Sequence, residues 1–174
     1  CGDGVIDSSQ GEACDDGGSN GGAYCDSDCS IKDNFVSVWE IPADGLTLTI
    51  SLPNKVKSYV TDSSCNSSYS RITLNYNFTI DWGDSTSTSE ITSYNDADLS
   101  HTYLAAGEYT VTITGTMEGI EFGSSNSVNA LKLKSVPNLG NVGWKSLYQG
   151  FRGAENLELL RGGDVSEVFN LSLA

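Results

Sequence analysis

From Asn34 onward, hydrophobic and polar residues alternate with period two, which predicts strands with one buried and one solvent-facing side. Phe35, Ser37, Trp39 and Ile41 fall on one face. Leu46, Leu48, Ile50 and Leu52 form a second stripe, with Thr47, Thr49 and Ser51 pointing away. Tyr76, Phe78, Ile80 and Trp82 repeat the scheme before a Gly83-Asp84 turn, and Tyr109, Val111 and Ile113 repeat it after Gly107. Short strands punctuated by Gly, Asn and Asp turns predict an antiparallel β-sandwich over residues 34–127, with residues 54–75 as a long hairpin or insertion. In this register Asn77 faces outward beside Thr79.

The period changes after residue 128. Leu131 and Leu133 suggest a strand. Trp144, Leu147, Tyr148 and Phe151 are spaced by three and four, which predicts one face of a short helix that Gly153 can stop. The run Leu157–Leu160 follows, and Asp164 to Ser166 is placed to start another helix. The series Trp144, Leu147, Gly150 recurs 24 residues later as Val168, Leu171, Ala174, a solenoid spacing. Residues 128–174 are therefore expected to form an incomplete, leucine-rich-repeat-like α/β segment.

Residues 1–33 have neither periodicity. Eight carboxylates face the single Lys32 there, a net of −7 within a chain whose total is −14. Gly is dense and apolar residues are few, so this module must be held by crosslinks, a metal or docking on its neighbour. Cys1, Cys14, Cys25 and Cys29 supply a disulfide framework of the kind expected in an oxidising compartment, and an extracellular or cell-surface location follows. Either Cys65 is a free buried thiol, or the count of five is odd because one cysteine crosslinks elsewhere. Asp3, Asp7, Glu12, Asp15, Asp16, Asp26 and Asp28 are candidate calcium ligands. Oxygen donors suit calcium better than zinc, and a divalent ion would offset their mutual repulsion. The alternative is a solvated acidic face on a disulfide knot, and EF-hand spacing is absent.

The acidic balance excludes nucleic-acid binding through a basic groove and argues against an anionic membrane surface. No run of about eighteen apolar residues is present, so no transmembrane segment is expected. With no initiator Met and no leader pattern, the chain is expected to be a mature segment. Acylation of Cys1 as a lipoprotein competes with its place in the cysteine framework. Asn66, Asn77 and Asn170 each open an Asn-x-Ser/Thr sequon and are candidate glycosylation sites.

Two stretches resemble known families. Cys1-Gly2-Asp3-Gly4, with Gly11-Glu12-Ala13-Cys14-Asp15-Asp16-Gly17, Cys25 and Cys29, resembles the cysteine-rich CGDG…GEECDDG repeat of microbial extracellular proteins over residues 1–31. It departs at Gly21 to Cys25, where that family has a GDGCS stretch. Asp81-Trp82-Gly83-Asp84, His101-Thr102-Tyr103 and Gly107-Glu108-Tyr109-Thr110-Val111 look like the WGDG…HTY…GxYTVxI signature of PKD-like sandwiches. The run 35–174 is similar to BspA-like leucine-rich-repeat surface proteins, with Val142 to Leu157 as the first repeat. These resemblances imply surface display, adhesion or scaffolding, without catalysis.

Catalytic signals are weak. His101 is the only histidine and is expected at a strand edge beside Tyr103, bonded to a turn. Asp81 and Asp84 could be the paired carboxylates of a glycosidase, but turn roles are favoured. Tyr109 is the candidate corner tyrosine. Nucleophile elbow, zinc-protease and phosphate-loop motifs are missing. The expected function is an extracellular structural or adhesion protein that acts as a self-assembling surface filament (fibril) subunit. Its partners would be like subunits, further repeats of a longer chain, or surface glycans. The rivals are a non-polymerising adhesin and a carbohydrate-binding module using Trp39, Trp82 and Trp144, for which burial is the more expected fate.

Overall fold

The computed structural model describes residues 3, 5, 6, 9, 12, 14, 15, 17, 32–61, 67–122 and 128–169. The fold is mainly β. Its strands are β1 (Phe35–Ile41), β2 (Thr47–Thr49), β3 (Lys55–Thr61), β4 (Ser67–Thr73), β5 (Tyr76–Asp81), β6 (Ser89–Ile91), β7 (Ser100–Thr102), β8 (Gly107–Met117), β9 (Leu133–Asn138) and β10 (Leu159–Leu160). Six of them make one sheet in the order β10-β9-β1-β8-β5-β6, antiparallel throughout except for the parallel β10–β9 pair. The pairs β2–β7 and β3–β4 form two-stranded ladders.

The expected face of β1 is buried, with Phe35, Ser37, Trp39 and Ile41 all inside, and Val36 of the opposite face is buried too. The polar member of that face is tied in place, because Ser37 Oγ accepts Trp39 Nε1–H at 2.8 Å and donates to the Val111 carbonyl. A buried hydroxyl without such partners would be costly. Strand β5 alternates in the same way, and Val111 and Ile113 of β8 are fully buried. Leu48 and Ile50 close the same core from the β2–β7 ladder. Main-chain bonds from Ile50 to Leu99 and from Tyr103 to Leu46 extend that ladder.

The core cluster continues into Leu133, Val136, Trp144, Leu147 and Phe151. Here the expected helix does not form. Successive bonds link Gly150 to Leu147, Arg152 to Gln149, Ala154 to Phe151 and Leu157 to Ala154, giving a chain of tight turns. Gln149 lies at φ 55°, a left-handed conformation that interrupts helical propagation. The apolar spacing still buries Trp144, Leu147 and Phe151, whereas Tyr148 turns outward. The second expected helix is also replaced: Asp164 Oδ1 accepts the Ser166 N–H at 2.9 Å and holds an Asx turn.

Strand β9 begins at Leu133, not Leu131. Ala130–Lys132 is a 3-10 turn, which leaves Leu131 45% exposed and Lys132 only 7% exposed. The alternation expected from Leu131 and Leu133 is thus reversed at its first position.

A 24-residue interval recurs in the bonding of the described residues, although Leu171 and Ala174 of the expected repeat lie outside them. Leu159 pairs with Ser135 and Leu160 with Val136 in parallel register. The same spacing links Glu158 N–H to the Lys134 carbonyl, Asp164 to Gly140 and Phe169 to Lys145. One coil therefore lies on the next at a constant sequence interval. An earlier parallel contact has a different, longer interval: Lys145 and Ser146 both donate to the Glu118 carbonyl beside the parallel bridge Gly119–Ser146.

Candidate functional site

The Trp82–Tyr109 region gathers the residues singled out for catalysis. Asp81 Oδ1 accepts Gly83 N–H at 2.9 Å, and Asp84 Oδ1 accepts both the Thr86 N–H and the Thr86 hydroxyl, at 3.1 and 2.6 Å. His101, on β7, places Nε2 2.7 Å from Asp84 Oδ2. An ionised carboxylate only accepts, so Nε2 carries the proton of this bond. The imidazole stacks on Trp82 at a centroid distance of 5.1 Å and meets Tyr103 edge-on at 4.7 Å. Tyr103 donates its hydroxyl to the Trp82 carbonyl at 3.0 Å and stacks on Tyr109, whose own hydroxyl reaches the Ala105 carbonyl at 3.0 Å. The Asp81 and Asp84 Oδ1 bonds hold the turn itself, and the Asp84–His101 and Tyr103–Trp82 bonds tie that turn to neighbouring segments. The Tyr109 bond, four residues back, is that of a corner tyrosine.

Electrostatics in this cluster favour a charged Asp84. Burial acts to raise its carboxyl, but hydrogen bonds from the Thr86 hydroxyl, His101 and the Thr86 N–H, together with the His101 charge, hold it below the usual carboxylate value. Burial pushes the Tyr103 phenol up, and the Asp84 charge adds to that. A depressed carboxyl contributes stability that is present above its unfolded value and lost as pH falls through its folded value. The native chain is therefore expected to lose stability below about pH 4 more steeply than Asp84→Asn. Denaturant unfolding at pH 5, 4 and 3 measures this, and parallel pH profiles for the two chains would contradict it.

The three tryptophans are buried, and each indole N–H has a partner: Ser37 for Trp39, Ser89 for Trp82 and the Leu139 carbonyl for Trp144. They form no exposed stacking row for a sugar. Asn77 is solvent-facing on β5, as its register predicted, while Asn66 and Asn170 lie outside the described residues.

In the N-terminal module, Asp3, Glu12, Cys14 and Asp15 are described; Asp7, Asp16, Asp26, Asp28, Cys1, Cys25, Cys29 and also Cys65 fall outside the described residues. Asp3 and Asp15 are brought together, the Asp3 N–H donating to Asp15 Oδ2 at 3.1 Å. Asp15 Oδ1 accepts Gly17 N–H at 2.6 Å, and Asp3 Oδ1 accepts Val5 N–H at 3.0 Å. These carboxylates organise backbone turns. Cys14 is fully buried and disulfide-bonded. Among the described residues, no group of three or more His, Cys, Asp or Glu is placed to hold a metal ion.

Sequence reasoning missed Lys132. Its ammonium donates to the Gly45 carbonyl at 2.8 Å and to the Thr47 carbonyl at 2.5 Å, pinning β2 to the 3-10 turn before β9. Burial lowers its pKa, partly offset by Asp44. The signal was invisible because both acceptors are backbone atoms more than eighty residues upstream.

The surface around the last coil is charged and partly apolar. Lys134 bridges Glu108 at 2.7 Å and Glu40 at 3.5 Å, and Lys145 pairs with Glu167. Leu160 of β10, and Val165 and Phe169 further along the same coil, are exposed, and among the described residues β10 is an edge strand of its sheet. Among the described residues, no helix is long and apolar enough to cross a membrane. No family model, curated protein or solved structure matches the chain.

Proposed function

We propose that the chain is an extracellular structural and adhesion protein that assembles with like subunits into a surface filament. On this reading a disulfide-stapled, calcium-stabilised cap leads into a PKD-like β-sandwich and then into leucine-rich-repeat-like coils. The observation that carries it is the 24-residue stacking onto β10, an edge strand among the described residues, with Leu160, Val165 and Phe169 of the same coil exposed. Unpaired strand groups next to apolar side chains are costly in isolation and favour a covering neighbour. A heterologous contact that repeats without closing generates a filament.

Support for the sandwich comes from the β2–β7 ladder sharing a core with the six-stranded sheet, and from the Tyr109–Ala105 tie. Support for an architectural role comes from His101 and Asp84, which are held by Trp82, Tyr103 and Thr86. A sugar-binding module built on tryptophan stacking is disfavoured by the burial of all three rings. A longer, non-polymerising adhesin would cover the same edge with further coils.

Sedimentation velocity over a range of concentrations separates these readings: the 174-residue chain is expected to grow into polydisperse species, and a single monomeric boundary throughout would defeat the assembly reading. Calcium is proposed for the acidic cap on its charge density. Chelation is expected to lower the melting temperature by several degrees and calcium to restore it. A melting temperature indifferent to both would remove the ion from the account.

A further inference from the structure

The β3–β4 ribbon departs from the charge of the rest of the chain. The chain holds 23 acidic and 9 basic residues, yet the two strands contain Lys55, Lys57 and Arg71 and no carboxylate. The register puts all three cations on one face, because Lys55 opposes Thr73, Lys57 opposes Arg71 and position 59 opposes Tyr69. That face is exposed: Lys55, Lys57, Tyr69, Arg71 and Thr73 all meet solvent. Lys57 Nζ sits 4.8 Å from the centroid of the Tyr69 ring. Lys57 and Arg71 stand directly opposite each other, so the ribbon presents its positive charge as one exposed patch to which an acidic surface is complementary. The ladder pairs with no third strand among the described residues.

A complementary surface lies at the other sheet. Glu40 of β1, Lys134 of β9 and the segment Glu155–Glu158 line an open groove of about 350 Å³. Lys134 is engaged by Glu40 and Glu108, whereas Glu155 and Glu158 enter no ion pair among the described residues. Leu157 gives the groove an apolar contact.

Resting on the assembly reading above, we propose that the basic face of the ribbon docks in the Glu40–Glu155–Glu158 groove of a second copy of this chain. Lys57 and Arg71 then meet Glu155 and Glu158, and Tyr69 packs on Leu157. Because ribbon and groove are different surfaces, the contact is head to tail and leaves a free ribbon and a free groove at the ends of every assembly.

A charge swap in the full chain tests this. Lys57→Glu with Arg71→Glu, and separately Glu155→Lys with Glu158→Lys, should each weaken self-association by at least about tenfold in sedimentation velocity. Mixing the two reversed chains should restore it, since each then offers the other an opposite charge at both contacts. Far-ultraviolet circular dichroism and tryptophan fluorescence verify that both variants remain folded. Native association with unaltered assembly of either variant, or no recovery on mixing, overturns this interface alone. A native chain that stays monomeric overturns the interface and the assembly reading together.

Discussion

Trp39→Ala is expected to destabilise the chain by about 3–5 kcal/mol, the range for emptying a buried large aromatic position. Trp39 is fully buried on β1, the strand flanked by β8 on one side and β9 on the other. Its ring meets Phe122 edge-on at a centroid distance of 5.4 Å, and its N–H completes the bonding of buried Ser37. Truncation therefore opens a cavity and leaves the Ser37 hydroxyl short of a donor. The two losses add because the strands around the cavity are locked by ladders on both sides and cannot collapse into it. Guanidinium unfolding should show a lower midpoint with an unchanged slope. A loss below about 1 kcal/mol would mean that β1 is not central to the core.

Gly83→Ala is expected to cost more than about 3 kcal/mol, through backbone strain and overlap together. Gly83 has φ +77°, and a Cβ there would stand 2.2 Å from the Thr110 carbonyl oxygen. Thr110 belongs to β8 and opposes Val38 on β1, so the obstructing carbonyl is held inside the sheet. Gly153→Ala provides the comparison. Its φ is +79°, but the nearest atom to an added Cβ is 3.7 Å away, which leaves the strain of about 1–2 kcal/mol without the overlap. Thermal unfolding of both variants measures the difference. Equal costs would show that the Asp81–Asp84 turn does not press against β8 as described.

The strands were legible where one face is apolar and the other is not. Tyr76 to Asp81 follow their alternation, and Phe35 to Ile41 bury the expected face, Ser37 included, while Val36 of the other face is buried as well. Alternation failed at Leu131 to Leu133, because a 3-10 turn rotates the chain and gives the interior to a lysine whose acceptors are distant carbonyls. Helical spacing at Trp144, Leu147 and Phe151 named the right buried residues and the wrong backbone: consecutive turns produce the same three-to-four spacing, and Gln149 at positive φ stops a helix from forming.

The site residues divide along the same line. Asp81 and Asp84 were legible as turn formers because Asp-x-Gly and Asp-x-Thr bonding is local. The partnership of Asp84 with His101 spans seventeen residues and depends on β7 arriving beside the turn, which no local pattern encodes. The 24-residue interval was visible in the sequence and recurs as hydrogen bonds between coils, although β10, at two residues, is too short to signal a strand by itself. The basic face of the ribbon was hidden for a different reason. Only the register reveals that Lys55, Lys57 and Arg71 lie on one side.

Electron microscopy of the assembled 174-residue chain addresses the central claim most directly, because a filament of head-to-tail subunits has a helical repeat that no closed oligomer or isolated adhesin produces. The architectural account predicts threads of uniform width with one subunit per repeat, dispersed by the Lys57→Glu, Arg71→Glu chain. Discrete single particles at every concentration, with no threads, would contradict it.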